Sequence, residues 1–474
     1  MNFRFMIIIL LLIIVPSSNT SINLHKDVNF NHIYQSENAK LFGTKISDNI
    51  SGYSGNGYVT GFDKPNDNII FTVTVPYDGI YKINIGYYIP KESGRKYTLV
   101  VLNGNSIKRI SLPKLNSFSE SSEEEILLHK GENNIMLISD WGYYNIDYIR
   151  VQKISMPSNS NIEKHLVNTN ATKEANTLQE FLVSNYGKYI LSGQQDLTEV
   201  DWIEKNTGKK PVVVGFDFMD YSPSRVEHGV SSNQTEQAIK WSKEGGIVTF
   251  SWHWNAPKNL INQPGKEWSE GFRTSATTFD IEYALDHPES EDYKLILRDI
   301  DAISVQLKKL QSANVAVLFR PLHEAEGGWF WWGAKGPEPT KKLYKLLYNR
   351  ITNYHDINNL IWIWNSSNKD WYPGDKYVDI VGYDSYPDSG DYSPLLNKYN
   401  ELSLLVKNKK LVSLTETGPI PDPNLLKEYK IRWSWFLTWK GKYLKDENIN
   451  SIKNLDEVYN HKYVLTLDEY KKIK

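Results

Sequence analysis

The sequence contains no cysteine, so disulfide bonds and thiolate metal sites are excluded for this 474-residue chain. It also lacks a basic surplus, because 54 lysines and arginines stand against 56 aspartates and glutamates, for a formal charge of -2. Nucleic-acid-binding proteins need such a surplus, and its absence argues against a nucleic-acid partner. With 40 % hydrophobic and 23 % charged residues, the chain has enough apolar material for large cores, which argues against global disorder.

Long apolar runs are also scarce, and the one that stands out lies at the N-terminus. Arg4 supplies positive charge, residues 6–15 are apolar, and residues 16–18 (PSS) end the run. Ten apolar residues are too few to span a bilayer, which takes roughly 20, so residues 1–20 are predicted to be a cleaved secretory signal. An uncleaved anchor is the alternative. No later segment approaches the roughly 20 apolar residues of a membrane-spanning helix. The mature protein is therefore expected to be secreted and extracellular, and not to be held in a membrane.

The N-terminal third reads as short strands separated by turns. Residues 81–87 alternate with period two, and Asn103-Gly104 favours a tight hairpin. Many short strands at this spacing predict an all-β, jelly-roll-like sandwich over residues 27–153. Residues 154–175 are rich in Ser, Asn, Thr and Lys and have no period, so they are predicted to be a linker.

The remaining residues, 176–474, alternate apolar runs with amphipathic segments. The candidate strands are residues 190–193, 212–217, 247–252, 315–320, 360–364, 380–383, 411–415 and 435–439. Eight βα units in a segment of this length predict an α/β fold, a (β/α)8 TIM barrel. A doubly wound sheet is the alternative, but its usual ligands need a Gly-rich phosphate-binding turn, which the sequence lacks.

Two glutamates follow candidate strands of this barrel. Glu324 lies after the fourth strand and Glu416 after the seventh, and catalytic groups of TIM barrels sit at these strand ends. Glycosidic bond cleavage needs such a carboxyl pair: one protonates the leaving oxygen, and the other attacks the anomeric carbon or activates water. His253 and His323 could instead ligate zinc, but there is no H-E-x-x-H motif, which disfavours a metal.

The 15 tryptophans are unevenly distributed, since only Trp141 lies in the first third of the chain. Indole rings match the apolar faces of pyranose sugars. Glycines on both sides of residues 329–332 predict a loop, with Trp329 as a sugar platform. Seven indoles are expected at or just beyond strand ends, where a polysaccharide would lie: Trp252, Trp254, Trp329, Trp331, Trp332, Trp364 and Trp439.

Four motifs in order resemble glycoside hydrolase family 26, which consists mostly of secreted endo-β-1,4-mannanases on a TIM barrel. They are residues 246–257 (GIVTFSWHWNAP), 320–332 (RPLHEAEGGWFWW), 378–386 (VDIVGYDSY) and 414–418 (LTETG). The resemblance implies that Glu324 is the acid/base and Glu416 the nucleophile of a retaining double displacement. It also implies these substrate-binding residues: His253, Trp254, Arg320, His323, Trp329, Tyr383 and Trp439.

These roles carry physical expectations. In retaining enzymes the two carboxyl groups lie about 5–5.5 Å apart, against ~6.5–9.5 Å in inverting ones. Burial and a nearby anion should raise the pKa of Glu324, whereas donors such as Arg320 or Tyr383 should lower the pKa of Glu416. The expected protein is a monomer that acts on plant-type β-mannan and needs no cofactor for catalysis.

The N-terminal segment resembles carbohydrate-binding module family 35 through residues 33–37 (IYQSE) and 141–149 (WGYYNIDYI). This resemblance implies a structural calcium ion held by Glu37 and Asp147, with two surface carboxylates as the alternative. It also implies sugar contacts through Trp141 and Asn145, with Trp141 in the core as the alternative.

Other functions remain open from the sequence. A β-1,3-xylanase or a mixed-linkage β-glucanase would use the same barrel and the same carboxylates. A non-catalytic, secreted polysaccharide-binding protein is the alternative outside the enzyme class, although Glu324 and Glu416 argue against it.

Overall fold

The computed structural model describes residues 30–77, 79–90, 94–121, 124–153 and 162–474. They form two compact units, which divide between residues 155 and 156. The predicted signal at residues 1–20 lies outside the described residues. Among the helices that are described, none has the length and apolar character needed to cross a bilayer.

The first unit consists of two antiparallel sheets that share one core. Its described strands are β1 (Asn31–Gln35), β2 (Lys40–Phe42), β3 (Lys45–Ser47), β4 (Tyr58–Thr60), β5 (Asn68–Val75), β6 (Gly79–Tyr88), β7 (Lys96–Leu102), β8 (Asn105–Leu112), β9 (Ser119–Glu120), β10 (Glu124–Leu128), β11 (Gly131–Trp141) and β12 (Asn145–Lys153). One sheet has the order β10-β6-β12-β4-β3, with β1 on β12 and β9 on β6; the other has the order β2-β5-β11-β7-β8. The predicted β-sandwich is confirmed.

Strand β5 illustrates how the sequence pattern builds this core. Phe71, Val73 and Val75 are buried, whereas the intervening Thr72 and Thr74 are exposed. The period-two alternation therefore places one face of the strand in the core and the other in solvent. Each fully buried side chain of this size contributes about 1.5–3 kcal/mol to folding.

The second unit is a closed parallel barrel. Its strands are β14 (Gly193–Gln195), β15 (Val213–Asp217), β16 (Ile247–Ser251), β17 (Val317–Arg320), β18 (Leu360–Asn365), β19 (Ile380–Ser385), β20 (Leu411–Thr417) and β21 (Phe436–Thr438), and a separate parallel pair is β13 (Ile190–Leu191) with β22 (Val464–Leu465). The predicted TIM barrel is confirmed.

Helices accompany these strands along the chain. They are α1 (Lys173–Asn185), α2 (Val200–Thr207), α3 (Pro223–Val226), α4 (Gln234–Lys243), α5 (Ile281–Asp286), α6 (Glu291–Ser312), α7 (Pro337–Tyr348, continued by a π-helical turn at Asn349–Tyr354), α8 (Leu396–Leu405), α9 (Pro423–Glu428), α10 (Lys442–Lys445), α11 (Ile452–Tyr459) and α12 (Leu467–Ile473). The longest, α6, begins at Ser290, whose side chain accepts the N–H of Tyr293 as an N-cap. Its buried residues recur at helical spacing, at Ile296, Ile300, Ile303, Leu307 and Leu310.

The predicted linker extends too far toward the barrel. Leu166 is buried in the barrel core, and the N–H of Val167 donates to Asp379 Oδ1 at 2.7 Å. Helix α1 begins at Lys173, and Ala175 is buried. Residues 162–175 therefore belong to the second unit, because the chain buries apolar side chains there despite its polar composition.

The alternation of the strands also determines which residues reach the mouth of the barrel. Leu318, Ile363 and Ile380 lie in one shared core cluster. Since successive inward-facing residues are two apart, the next ones on β17 and β18 are Arg320 and Asn365, the last residues of their strands. Polar side chains thus meet at the carboxyl end of the barrel, above an apolar interior.

Candidate active site

Three carboxylates meet at the mouth of the barrel. Glu324 follows β17, Asp384 lies in β19 and Glu416 lies in β20, and one oxygen of each lies within 4.8 Å of the others. Glu324 and Glu416 were predicted from the sequence for this site, whereas Asp384 had no predicted role. The structure brings the two glutamates together and adds a third carboxylate between them.

Arg320 ties two of these carboxylates together. Its Nη1 donates to Asp384 Oδ2 at 2.6 Å, and its Nη2 donates to Glu416 Oε1. The residue is only 3 % exposed, so this charge-assisted pairing takes place largely out of water. One guanidinium faces three carboxyl groups, and the cluster is therefore most stable when it also holds a proton.

A β-bulge turns Glu416 toward the cluster. Tyr383 pairs with Leu414, but the next pair along the strands is Asp384 with Glu416, which leaves Thr415 as an extra residue on β20. Bulges of this kind bend the strand and redirect its side chains. Thr415 Oγ1 donates to Asp384 Oδ1 at 2.7 Å, so both residues of the bulge face the site.

Tyr386, not Tyr383, is the phenol that contacts Glu416. Its hydroxyl donates to Glu416 Oε2. The ring of Tyr383 lies instead beside Lys398, whose Nζ is 5.0 Å from the ring centroid. The predicted contact of Tyr383 with Glu416 was wrong, because the strand's alternation gives Tyr383 the opposite face from Asp384. Tyr386 lies inside the motif at residues 378–386, which was the available signal for it.

Glu324 occupies a constrained position just past β17. Its backbone has φ 53°, in the left-handed region, and its N–H donates to Asn365 Oδ1 at 2.9 Å. Asn365 Nδ2 in turn donates to Asp384 Oδ1 at 2.9 Å. The indole N–H of Trp329 donates to Glu324 Oε2 at 2.8 Å. Asn365 therefore links the backbone of Glu324 to the carboxylate of Asp384, a role the sequence did not reveal.

The pKa values of both glutamates are raised. Burial is the main cause for Glu324, and the charge of Asp384 adds to it, so its pKa rises to about 7 as expected. Burial and Asp384 also raise the pKa of Glu416, although Arg320 and Tyr386 act in the opposite direction. The expected lowering of the pKa of Glu416 was wrong, because the sequence indicated Arg320 as a donor but neither the burial of Glu416 nor its anionic neighbour Asp384.

The two predicted histidines lie side by side. His253 Nε2 and His323 Nε2 are 3.2 Å apart, and His253 Nδ1 contacts Asp217 Oδ2. Burial lowers the pKa of His323 well below its usual range, and the positive charge of Arg320 adds to the effect. His323 is therefore neutral and acts as a hydrogen-bonding group.

Most of the expected indole platform is core. Trp254 is fully buried, it stacks on Trp252 with ring centroids 4.0 Å apart, and its N–H donates to Asp299 Oδ2 at 2.8 Å. Its prediction as a sugar-binding residue was wrong. The same burial applies to Trp252, Trp331, Trp332 and Trp364. Flanking glycines could not reveal this for Trp331 and Trp332, whose rings pack inward against Trp254 and His323.

Two indoles remain accessible at the barrel mouth. Trp329 is 50 % exposed and is anchored by its N–H to Glu324. Trp439, just past β21, is partly exposed, and its ring centroid is 6.1 Å from that of His253. These are the two of the seven predicted indoles that are placed to contact a ligand.

In the first unit, Glu37 and Asp147 contact the same turn. The N–H of Ser54 donates to Asp147 at 3.0 Å, and the N–H of Asn56 donates to Glu37 Oε1 at 2.7 Å. Burial raises the pKa of Asp147 to about 6, and the charge of Glu37 contributes. Glu37 Oε2 is buried and has no hydrogen-bond partner among the described residues. A hard cation fits this donor set.

The two residues predicted to contact sugar in this unit lie near the β11–β12 connection. Asn145 is the first residue of β12 and is buried. The side chain of Trp141 lies outside the described residues. Both contacts therefore stay predictions.

Comparison with known proteins supports the predicted family of each of the two units. Residues 167–469 match the glycosyl hydrolase family 26 model, and residues 32–154 match the carbohydrate binding module family 35 model. A mannan endo-1,4-beta-mannosidase of Thermothelomyces thermophilus is 46 % identical over 92 % of this chain and 90 % of its own length. Mannan endo-1,4-beta-mannosidase A of a Piromyces species is 36 % identical over 92 % of this chain and 72 % of its own length.

Solved structures give the same result. A Podospora anserina GH26-CBM35 beta-(1,4)-mannanase has a TM-score of 0.69 at 45 % identity, covering 93 % of this chain and 98 % of that one. A ruminal GH26 endo-beta-1,4-mannanase has a TM-score of 0.66 at 31 % identity, covering 94 % and 99 %. The chain therefore belongs to glycoside hydrolase family 26 and is a glycoside hydrolase that carries a family 35 carbohydrate-binding module.

Proposed function

We propose that this protein is a secreted endo-β-1,4-mannanase that cleaves mannan, glucomannan or galactomannan with retention of configuration. The observation that carries the retaining mechanism is the carboxylate cluster, in which oxygens of Glu324 and Glu416 lie within 4.8 Å. This spacing favours a retaining enzyme, in which the carboxyl groups lie about 5–5.5 Å apart, over an inverting one, which holds them ~6.5–9.5 Å apart to admit a water. The activities of the related mannanases support mannan as the substrate.

In the first half-reaction, Glu324 donates its proton to the glycosidic oxygen while Glu416 attacks the anomeric carbon. The bond to the leaving sugar breaks, and a glycosyl ester forms on Glu416. The shared proton belongs on Glu324, because both oxygens of Glu416 already accept bonds, from Arg320 and Tyr386. A protonated Glu416 would have to give up one of these donors.

In the second half-reaction, ionised Glu324 takes a proton from water, and the water oxygen attacks the same anomeric carbon. Glu416 leaves as a carboxylate, and Arg320 stabilises its returning charge. Two inversions at one carbon give net retention. Asp384 keeps Arg320 in place and favours the protonated form of Glu324, so Glu324 carries its proton when the cycle begins.

The remaining residues at the mouth bind substrate in this proposal. Trp329 and Trp439 present indole faces to sugar rings. His253 and Tyr383 contact the sugar through their ring edges, because both ring nitrogens of His253 already have partners in Asp217 and His323. His323 and Arg320 are buried, and they orient the groups that touch the sugar. The N-terminal unit binds polysaccharide through residues that include Trp141 and Asn145.

A comparison of substrates tests the activity. Purified protein is incubated side by side with galactomannan, β-1,3-xylan and barley β-glucan, and new reducing ends are counted. We expect release from galactomannan and a rapid fall in its viscosity, which marks internal cleavage. Proton NMR of the first products from mannohexaose should show the β-anomer before mutarotation. Preference for either other polymer, or a first-formed α-anomer, would overturn the corresponding part of the proposal.

Secretion as a monomer completes the proposal. Residues 1–20 supply the export signal, and the polysaccharide substrate lies outside the cell. N-terminal sequencing of protein from the culture medium should begin shortly after residue 20. Light scattering of the same sample should give the mass of one chain.

Calcium binding by Glu37 and Asp147 is also proposed, and it predicts how stability depends on pH. Without metal, the pKa of Asp147 is about 6 in the folded state and near 3.8 when unfolded. The neutral form thus stabilises the fold fully below the unfolded value, and this stabilisation is lost as pH rises through the folded value. Calcium binds the ionised form and should reverse the loss.

Calorimetry of the full chain checks this prediction. In EDTA, we expect the melting temperature of the transition that calcium stabilises to fall by about 5 °C between pH 4.5 and 7. Excess calcium should remove that fall. The isosteric variant Asp147→Asn should respond neither to calcium nor to this pH change. A wild-type melting curve that is identical in EDTA and calcium would refute the site.

A further inference from the structure

A hydrogen-bonded chain of three side chains runs from the end of β15 to the residue before Glu324. Asp217 contacts His253 Nδ1, and His253 Nε2 is 3.2 Å from His323 Nε2. All three residues are largely buried, with side-chain exposures of 11 % for Asp217 and 14 % for His253.

The carboxylate of Asp217 determines where the protons of this chain lie. An ionised carboxylate only accepts hydrogen bonds, so His253 must carry its proton on Nδ1. His323 Nδ1 has no hydrogen-bond partner among the described residues, so a proton there would be buried without an acceptor. We therefore place the proton of His323 on Nε2, where it is donated across the short contact. His253 Nε2 is then the acceptor, which makes the ring of His253 neutral.

We propose that Asp217 is a positioning residue of the active site, which holds His253 in its Nδ1–H form and thereby orients His323. His323 directly precedes Glu324, and its carbonyl accepts the indole N–H of Trp332 at 3.0 Å. Its ring is thus held on one side by His253 and its backbone by Trp332. Loss of the His253 contact frees the ring beside the strained backbone of Glu324.

Two backbone groups make the variant Asp217→Asn decisive. The N–H groups of Met219 and His253 donate to Asp217 Oδ1 at 2.8 and 3.0 Å. An asparagine must keep its oxygen on these two donors, because its NH2 group would repel them. The NH2 group therefore faces His253 Nδ1 and requires the other tautomer of His253, with the proton on Nε2. The N–H groups of His253 and His323 then point at each other, unless His323 changes its tautomer as well.

Nitrogen-15 NMR of histidine-labelled protein measures these forms directly. In the wild type, we expect His253 to be neutral with its proton on Nδ1 and His323 to be neutral with its proton on Nε2. The variant His253→Gln serves to assign the signals. In Asp217→Asn, the signal of His253 should change to the Nε2–H form. A wild-type His253 that is cationic or protonated only on Nε2 would overturn the proposal, even if the variant failed to fold.

Kinetics supply the second readout, which rests on the proposed mannanase function. We expect Asp217→Asn to lower kcat on mannohexaose about 10- to 100-fold while KM changes much less, because the reacting groups are misplaced after substrate binds. Asp379→Asn is the matched control. Asp379 is a buried carboxylate that accepts the N–H groups of Val167 and Trp362 at 2.7 and 2.8 Å, and no imidazole contacts it among the described residues.

The control should keep wild-type kcat and wild-type histidine signals, whatever its loss of stability. If folded Asp217→Asn also kept the wild-type signals and kcat, Asp217 would be only a structural acceptor and the proposal would fail. A wild type without activity on mannan would refute the proposed function instead, and the NMR result would still decide the role of Asp217.

Discussion

Replacing Glu416 by glutamine should abolish turnover and leave oligosaccharide binding intact. The amide is nearly the same size and can still accept from Arg320, but it cannot form the glycosyl ester. We expect kcat on galactomannan to fall at least about 10⁴-fold, as in other enzymes that lose a nucleophile. Reducing-end release measures kcat, and titration calorimetry with mannohexaose measures binding.

Glu199→Gln is a suitable control for this variant. Glu199 is also buried and ion-paired, with Lys445 Nζ 2.6 Å away, but it lies outside the carboxylate cluster. It should retain nearly full turnover. A second variant, Glu416→Asp, keeps the charge but withdraws the oxygen from the anomeric carbon, and should also be nearly inactive. Substantial turnover by Glu416→Gln would contradict its assignment as the nucleophile.

Replacing Glu324 by glutamine should remove both acid catalysis and the alkaline limb of the pH profile. The pKa of Glu324 is about 7, raised by burial and by Asp384, so the wild type loses the required proton above neutral pH. We expect kcat/KM of the wild type on mannohexaose to decline as pH rises through that value. In the variant, kcat/KM should be about 10²- to 10⁴-fold lower and should show no such decline.

The leaving group separates this role from general damage. A dinitrophenyl β-mannobioside has a leaving group that needs no protonation, so its release by Glu324→Gln should proceed at nearly the wild-type rate in the first turnover. Glu326→Gln is the matched control, since Glu326 is two residues away and its carboxylate accepts from Ser366 Oγ at 2.8 Å. It should retain the wild-type pH profile. An unchanged alkaline limb in Glu324→Gln would exclude Glu324 as the acid.

Much of the fold could be predicted from the sequence, because the barrel strands are recognisable from their own residues. Strands β15, β16 and β18 are buried along their whole length, and each appears as an apolar run bounded by turns. The prediction was wrong at residues 162–175, where the polar residues Ser, Asn and Thr indicated a linker. Leu166 is nevertheless buried there. Whether such a segment packs depends on an apolar surface elsewhere in the chain.

The site was predictable only in part, for a related reason. Residue order placed Glu324 and Glu416 at strand ends, but the bulge that makes Thr415 an extra residue is a property of the pairing of β19 with β20. It changes which side chains of β20 face inward. Tyr386 was missed for another reason, since it lies two residues past Asp384 and shares its face, whereas Tyr383 faces the other way. The tryptophans show the same limit, since Trp254 and Trp329 lie in similar contexts while one is fully buried and the other half exposed.

The absence of cysteine, the balanced charge and the eight spaced strands determined by themselves that two disulfide-free units, a sandwich and a barrel, carry this chain's chemistry. The order of the strands also indicated Glu324 and Glu416, because the carboxyl ends of parallel barrel strands all lie at the same end of the barrel. Only the tertiary structure decided the protonation of the site. The pKa of a carboxyl group depends on burial and on charges a few ångströms away, and Arg320, Asp384 and Glu416 come from strands far apart in sequence.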